Sequence, residues 1–343
     1  MSHERILTSA SAHGEWTDLF RHQLSLSRLQ PGELCLVVTD TAFNPAYARA
    51  AMDAARSLGA QVYQICLPAE GPLPEKSFGA AVREADLLVY SSTHKLHYSE
   101  QVREGLAAGL RVLMAVQPLH AMRRLKGDPE VVRRSKQGAA RLARASHIRI
   151  TSPAGTDLSM ERGGRPVGAL YGLADEPGHL DFFGCGMVQV APLEESVQGT
   201  LVLNTGDQMF YLGRYVHEPV EITIRDGRIT AIKGGLDALL LRKTLESFQD
   251  ENAWRVGHIA WGTDRRANWA AQALQYADPG ASGADIESYY GNVQVEFGSN
   301  NDVCFQGRID SRAHLGNCLL DCSLYLDGEV VIQGGEFVDE ALR

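Results

Sequence analysis

The first half of the chain alternates apolar strands with helical segments, and the strand starts recur about every 25 residues. Residues 34–39 form a continuous apolar run, which is typical of a strand buried on both faces. Residues 45–58 follow as an Ala-rich helix with a proline in its first turn and Gly59 after its end. Further strands are predicted at 61–66, 85–91, 110–116 and 148–151, with helices at 76–84, 100–108 and 131–145. This repeat predicts an α/β first domain, residues 1–151, with a doubly wound parallel sheet.

From about residue 152 the pattern changes to glycine-rich hairpins. Asp226-Gly227 separates the predicted strands 220–225 and 228–233, and Asp327-Gly328 separates 325–326 from 329–332. Both dipeptides favour a type I′ turn between antiparallel strands. Helices are predicted at 238–249 and 268–276. Residues 152–343 are therefore predicted to form an α+β domain with a mainly antiparallel sheet.

Charge and composition exclude several classes of function. The net charge of −9 argues against general binding to nucleic acid or to anionic membranes. There is no apolar run near 18 residues, the N-terminus lacks the apolar core of a signal peptide, and no GxGxxG follows the first strand. The six cysteines are scattered without a CxxC, as expected of reduced thiols in a cytoplasmic protein.

Two histidines in the C-terminal third are the strongest candidates for a functional site. His258 lies in Gly257-His258-Ile259-Ala260-Trp261-Gly262, and His314 lies in Ala313-His314-Leu315-Gly316. Their spacing is not that of a zinc finger, so local sequence alone does not predict a metal site. Other short stretches accompany them: Tyr171-Gly172, Ala174-Asp175-Glu176-Pro177-Gly178, Gly199-Thr200-Leu201, Arg266-Ala267-Asn268-Trp269, Tyr290-Gly291-Asn292 and Tyr325-Leu326-Asp327.

Together these stretches resemble the 2,5-dihydroxypyridine 5,6-dioxygenase family, within the larger group that includes the thermophilic aminopeptidases. The resemblance covers roughly residues 26–338 and is most specific in the second half. It implies that a mononuclear Fe(II) site is held by two histidines and one aspartate, with His258 and His314 matching the histidines. The matching aspartate position is Gly316, so the usual carboxylate of a 2-His-1-carboxylate site is missing. The aminopeptidases hold two metals with more acids than match here, so peptidase activity is not expected.

The third ligand has several candidates. Glu296, where the resemblance implies a serine beside the metal, shares one face of a predicted strand with Gln294 and is the preferred ligand or base. The alternatives are Asp310 or Asp321, or a site with only two protein ligands. Thiolate ligation by Cys318 and Cys322 is also open. In the non-metal interpretations, Glu296 faces solvent on a half-exposed strand, and the two histidines are partly buried, hydrogen-bonded residues of a degenerate site.

The resemblance also implies residues that contact the substrate. Leu96 and His97 follow the strand 85–91, where ligands bind in open α/β sheets, and they match a leucine-histidine pair that faces the substrate. His97 is expected to donate a hydrogen bond or to act in acid–base chemistry, although a solvated loop is the alternative. Leu170 replaces a glutamate that binds the polar ring, which indicates a changed substrate. Gln294 is the fourth predicted substrate contact.

Three hypotheses follow for the function. The first is an Fe(II) enzyme that cleaves a small hydroxylated aromatic or N-heterocyclic ring with oxygen. The second is a hydrolase or lyase on the same scaffold that uses water bound to another divalent metal such as zinc or manganese. The third, motivated by Gly316, is a non-catalytic binding protein. The resemblance also implies a homo-oligomer.

Overall fold

A computed structural model describes residues 9–274, 283–301 and 305–343, and the chain divides into two compact units. The first unit comprises Met1–Gly127 and Gly172–Gly184, and the second comprises Asp128–Tyr171 and Cys185–Arg343. The predicted boundary between residues 151 and 152 lies inside the second unit. As a boundary between independently folding domains it stays a prediction.

The helices and strands follow in chain order. Up to residue 127 they are α1 (Ser9–Leu26), β1 (Leu34–Asp40), α2 (Pro45–Ser57), β2 (Gln61–Leu67), α3 (Glu75–Glu84), β3 (Leu87–Ser91), α4 (Glu100–Ala107), β4 (Arg111–Met114) and α5 (Leu119–Arg124). Then come α6 (Pro129–Leu142), β5 (His147–Thr151), β6 (Asp157–Glu161), β7 (Val167–Leu170), β8 (Leu180–Phe182), β9 (Met187–Val190), β10 (Gln198–Leu203), β11 (Gln208–Met209), β12 (Arg214–Tyr215), β13 (Val220–Arg225) and β14 (Arg228–Lys233). The remainder are α7 (Leu236–Ser247), β15 (Val256–Gly262), α8 (Ala271–Leu274), α9 (Gly283–Ser288), β16 (Val293–Gly298), β17 (His314–Leu319), β18 (Ser323–Leu326), β19 (Glu329–Gln333) and β20 (Glu336–Phe337).

The first unit contains a five-stranded parallel sheet in the order β2-β1-β3-β4-β8. This is the flavodoxin-like order, with its switch point between β1 and β3. Local signals account for α2: the Asn44 side chain accepts from the Ala46 N–H, Pro45 starts the helix, and small alanines let it pack closely on the sheet. The predicted parallel α/β sheet is therefore present.

The predicted strand at 148–151 does not belong to that sheet. It forms β5, which pairs antiparallel with β6 and β18 in the second unit, and β8 supplies the fifth parallel strand instead. The burial of β5 alternates, with Ile148 and Ile150 inside, whereas β3 is buried at every position. Alternating burial suits an antiparallel sheet with one solvated face, so the strand was predicted correctly but its sheet was wrong.

The second unit holds two antiparallel sheets. One has eight strands in the order β14-β13-β10-β6-β5-β18-β19-β20, and the other has seven in the order β12-β11-β17-β16-β15-β9-β7. Both predicted hairpins form, and Asp226, Gly227, Asp327 and Gly328 all have the positive φ that a type I′ turn requires. Of the helix predicted at 268–276, residues 271–274 form α8, and residues 275 and 276 lie outside the described residues.

The seven-stranded sheet is buried on both faces in the region of β16. Val293, Val295 and Phe297 enter the hydrophobic core, while Gln294 and Glu296 on the opposite face are also buried. Burying a polar face is costly unless its groups find partners, so this face is a candidate functional site. Among the described residues, no helix has the length and apolarity needed to cross a membrane.

Candidate metal centre

Three adjacent strands bring His258, Glu296 and His314 onto one face of the seven-stranded sheet. His258 on β15 lies opposite Glu296 on β16, and Glu296 lies opposite Gly316 on β17. His314 is two residues before Gly316 and therefore points to the same side of the sheet. The strand register thus assembles a group of side chains that are 38 and 18 residues apart in the sequence.

A β-bulge at Gly257 sets the position of His258. The pairing of β15 with β16 shifts between Val256 and His258. A Cβ at Gly257 would lie 2.8 Å from the Gly298 carbonyl oxygen and 3.1 Å from that of Ser299, so only glycine permits this backbone approach. The glycine that precedes the histidine in the sequence motif is therefore required because a side chain at this position would clash with the neighbouring backbone.

The three side chains lie close enough together to hold one metal ion. His258 Nε2 is 3.3 Å from Glu296 Oε1, and His314 Nε2 is 3.2 Å from Glu296 Oε2. One ligand atom from each of the three residues lies within 4.8 Å of the others. Metal–ligand bonds near 2.1 Å place neighbouring ligands about 3 Å apart, so the spacing suits one ion with two nitrogen ligands and one oxygen ligand. The donor set and its geometry fit Fe(II), and they also fit zinc or manganese.

The electrostatics favour an ionised Glu296. Burial alone would raise the pKa of Glu296, but the charge of His258, its hydrogen bond and the charge of His314 lower that pKa to about 2. The ring of His258 stacks on Phe305 at 4.1 Å between centroids, and the two imidazoles lie 5.2 Å apart. A charged carboxylate beside one buried and one partly exposed histidine is a group that a cation would stabilise.

Burial of Glu296 and His258 excludes the solvent-facing interpretation of the glutamate. Each is only 2% exposed, whereas His314 is one-third exposed and gives the centre an open side. The other candidates for the third ligand are not in this cluster: of the described residues, only His258, Glu296 and His314 form such a group. Asp310 and Asp321 are exposed, and Asp321 occupies a positive-φ turn position. Burial raises the pKa of both the Cys318 and Cys322 thiols, which disfavours thiolate ligation.

Sequence reasoning missed two residues around the centre. Phe210, in a 3-10 turn, would be 3.3 Å from a Cβ at Gly316 and 3.0 Å from one at Gly283, so its ring lies between α9 and β17. Glu287 on α9 is a second carboxyl group, and burial followed by the nearby Glu296 charge raises its pKa to about 8. Neither residue belongs to a recognisable motif, because only the tertiary fold brings the turn and α9 over the sheet.

Of the predicted substrate contacts in the second unit, Gln294 and Leu170 both lie on the ligand-bearing face. Gln294 is two residues before Glu296, and Ala260 lies opposite it. Leu170 lies opposite Met187, which in turn lies opposite Gly262 on β15. Paired residues of antiparallel strands point to the same side, so Leu170 shares a face with His258. Their role in binding a substrate stays a prediction.

The other two predicted contacts belong to the first unit. Leu96 is fully buried in the 3-10 turn Leu96–Tyr98, and His97 Nδ1 lies 2.7 Å from the Tyr90 hydroxyl. Asp40, at the end of β1, accepts hydrogen bonds from the Ser92 and Thr93 hydroxyls and from the Thr93 N–H. Hydrogen bonds to Asp40 therefore hold the start of the loop after β3 at the switch point of the sheet, while Thr93 and Lys95 are exposed.

Comparisons with known proteins identify the family and the fold of this chain. The family model NicX, described as 2,5-dihydroxypyridine 5,6-dioxygenase, matches residues 15–339. The 2,5-dihydroxypyridine 5,6-dioxygenase of Pseudomonas putida KT2440 is 32% identical and covers 95% of this chain and 97% of its own length. The solved structure of the Pseudomonas putida KT2440 dioxygenase has a TM-score of 0.90 at 31% identity, covering 96% of this chain and 99% of that one. AmpT from Thermus thermophilus has a TM-score of 0.67 at 13% identity, covering 95% and 99%, and shares the fold.

Proposed function

Because the chain belongs to the family of 2,5-dihydroxypyridine 5,6-dioxygenases, we propose that it is an Fe(II)-dependent enzyme that opens a small hydroxylated ring with molecular oxygen. The ring is an N-heterocycle or a related aromatic compound. The observation that carries the proposal is the convergence of His258, Glu296 and His314 on one sheet face with the spacing of a single-ion site. Two histidines and one carboxylate are the protein ligands of many non-haem Fe(II) oxygenases.

In this proposal His258, Glu296 and His314 hold the metal, and Glu296 takes the place of the aspartate that the family resemblance implies at position 316. When bound, Fe(II) supplies the redox chemistry that lets oxygen react with the ring. Glu296 contributes the negative charge, and His258, stacked on Phe305, is restricted in its orientation. We propose that a substrate enters from the side of His314, whose side chain is one-third exposed.

His97 is the proposed proton carrier. Its Nδ1 atom is hydrogen-bonded to the Tyr90 hydroxyl, and its ring lies 4.2 Å from that of Tyr98, centroid to centroid, so its orientation is restricted. An imidazole can take and return a proton near neutral pH, as ring hydroxyl chemistry requires. Leu170 and Gln294 are proposed to contact the ring, and an aliphatic Leu170 favours a less polar substituent than a glutamate would.

A metal-dependent hydrolase or lyase is the second candidate. The observation that favours it is Glu287, a second carboxyl group beside Glu296 that could act on a metal-bound water. Oxygen dependence separates the two functions, because a hydrolase turns over unchanged under strict anaerobiosis.

The test begins with metal analysis of anaerobically purified protein, comparing the wild type with Glu296→Ala. About one iron per chain, lost in the variant, is the expected result, followed by oxygen consumption on adding 2,5-dihydroxypyridine or a related ring. Stoichiometric zinc or manganese with oxygen-independent turnover would favour the hydrolase or lyase. If no metal binds even after Fe(II) is added, both enzymatic proposals fail and a binding protein remains.

A further inference from the structure

The ring of His258 is held without a protein hydrogen bond at its second nitrogen. Its Nε2 faces Glu296 Oε1 at 3.3 Å, while its buried Nδ1 has no hydrogen-bond partner among the described residues. A histidine that ligates a metal typically donates its other ring N–H to a carboxylate, a backbone carbonyl or water, and this bond orients the ring. No described protein group plays that part for His258, so the orientation of its ring depends on packing.

Phe305 supplies this packing. Its buried ring lies 4.1 Å from that of His258, centroid to centroid, with an angle of 27° between the two planes. A phenyl ring stacked on one face of the imidazole opposes rotation of the imidazole out of its plane. Residues 305–309, which we call the Phe305 segment, belong to no helix or strand. The position of the phenyl ring therefore depends on the contacts that hold this segment.

Asn300 holds the Phe305 segment with both its backbone and its side chain. The Asn300 carbonyl accepts from the Gly307 N–H at 2.7 Å, and the Asn300 N–H donates to the Ile309 carbonyl at 3.0 Å. Asn300 Oδ1 accepts from the Ile309 N–H at 2.8 Å. A Cβ at Gly307 would collide with the Asn300 amide, so only glycine permits this close packing. Asn300 is 1% exposed, and these hydrogen bonds are therefore shielded from water.

The same side chain also reaches the backbone beside His258. Asn300 Nδ2 donates to the Gly257 carbonyl at 3.0 Å, and this carbonyl belongs to the peptide bond that joins Gly257 to His258. One amide group therefore links the β-bulge that directs His258 to the segment that carries Phe305. The two supports of the imidazole, its own backbone and the ring stacked on it, both depend on Asn300.

An ion pair holds the Phe305 segment at two further points. Glu194, which is buried, accepts from the Arg308 N–H at 2.8 Å, and its two carboxylate oxygens lie 2.9 and 2.7 Å from Arg165 Nη2. Arg165 Nη1 donates to the Gln306 carbonyl at 2.6 Å. Gln306 has a φ of 52°, a conformation that costs free energy for a residue with a side chain and persists where its surroundings fix it. The segment is therefore held in a specific conformation.

We propose that Asn300 is a positioning residue of the metal centre. Through the Gly257 carbonyl and the Phe305 segment, it keeps the ring of His258 in the orientation in which Nε2 faces Glu296. This inference rests on the proposed function, because it takes His258 as a metal ligand. It goes beyond that function by assigning the orientation of the ligand to a residue outside the ligand set.

The experiment uses Co(II) as a spectroscopic probe, because its visible absorption band reports the geometry of its ligands and no turnover is needed. Full-length protein freed of metal is titrated with Co(II), and affinity, absorption band and melting temperature are recorded. The proteins are the wild type, Asn300→Ala, Phe305→Leu, the double variant and Asn252→Ala. Asn252 is the control because its side-chain amide also donates to a backbone carbonyl, that of Asp310, but is hydrogen-bonded neither to Gly257 nor to the Phe305 segment.

Asn300→Ala and Phe305→Leu should each weaken Co(II) binding about tenfold or more and shift the absorption band, because each removes a support of a ligating histidine. The double variant should lose less affinity than the product of the two single losses, since part of the effect of Asn300 passes through Phe305. Asn252→Ala should keep the wild-type affinity and band. An Asn300→Ala protein that melts at a lower temperature but keeps both wild-type values would show that Asn300 serves only the fold, and would overturn the inference.

If Asn300→Ala does not fold, Arg165→Lys takes its place. Lysine keeps the positive charge but cannot hold Glu194 and the Gln306 carbonyl with one planar group, so Co(II) affinity should fall several-fold and the band should shift. Wild-type values in that variant would overturn the inference while leaving the proposed function in place. A wild-type protein that binds no Co(II) would overturn the proposed metal centre and the inference together.

Discussion

Glu296 and Gly316 lie directly opposite each other on the antiparallel strands β16 and β17. A Cβ at Gly316 would be 3.4 Å from Glu296 Oε1 and 3.3 Å from the Phe210 ring. The space between positions 296 and 316 therefore accommodates one carboxylate. The family resemblance implies an aspartate at 316 and a serine at 296. In the proposed metal site the carboxylate therefore comes from the neighbouring strand, and residues 296 and 316 direct their side chains to the same face of the sheet.

Replacing Glu296 by glutamine should reduce metal binding without changing the shape of the site. The neutral amide keeps the size of the side chain but removes the charge and one strong oxygen ligand, so Fe(II) affinity should fall about 100-fold or more. Anaerobic titration with Fe(II) measures this effect. Glu221→Gln, at an exposed position of β13, is the matched control and should bind like the wild type. Equal affinity in both variants would exclude Glu296 as a ligand.

Transferring the carboxylate to β17 should restore the metal site. Glu296→Ser alone should lose the metal. Gly316→Asp alone should lower the stability of the fold, because two buried carboxylates would then lie side by side on paired strands. The double variant Glu296→Ser/Gly316→Asp should recover Fe(II) binding relative to Glu296→Ser. Metal content and thermal melting of the three variants provide the measurements. Additive losses in the double variant would show that the two positions do not share a role.

Tyr90→Phe should change the chemistry of His97 while leaving the metal centre intact. The substitution removes the hydroxyl 2.7 Å from His97 Nδ1 and so frees the imidazole to change tautomer and orientation. We expect kcat to fall about tenfold with a shifted pH profile, and KM and iron content to change little. Tyr63→Phe, on an exposed side chain, is the control. An unchanged pH profile would argue that Tyr90 only fills space.

Asp207→Asn should flatten the pH dependence of stability of the metal-free protein. Burial, opposed by hydrogen bonds from the Leu320 and Asn204 N–H groups, raises the pKa of Asp207 to about 7. Between the ordinary pKa near 4 and about 7, the folded protein keeps a proton that the unfolded chain has released, so stability falls as the pH rises.

Asparagine does not titrate, so the loss of stability with rising pH should be smaller in Asp207→Asn. Part of that loss should remain, because Glu287 also has a raised pKa. Urea unfolding at pH 5, 6, 7 and 8 gives the slope. The variant is expected to be less stable at every pH because its amide cannot accept both N–H groups, so only the slope is diagnostic. If stability changed with pH equally in the wild type and in Asp207→Asn, the raised pKa of Asp207 would be contradicted.

Local sequence signals predicted where helices, strands and hairpins lie. They did not predict which strands from distant parts of the chain pair with one another. Asn44, Pro45 and Gly59 delimit α2, and the Asp-Gly pairs delimit both hairpins, because these residues act on their own backbone. The strand at 148–151 was predicted but assigned to the wrong sheet, because hydrophobic periodicity does not say which strand pairs with it. The three-residue β8 carries too short a pattern to be predicted at all.

The sequence by itself determined the family, the histidine pair and the shared face of Gln294 and Glu296, because motif identity and strand alternation are properties of neighbouring residues. Only the tertiary structure decided that Glu296 is buried between the two histidines. The reason is that burial depends on α9 and the Phe210 turn covering the sheet, and the register across β15, β16 and β17 joins residues far apart in the chain.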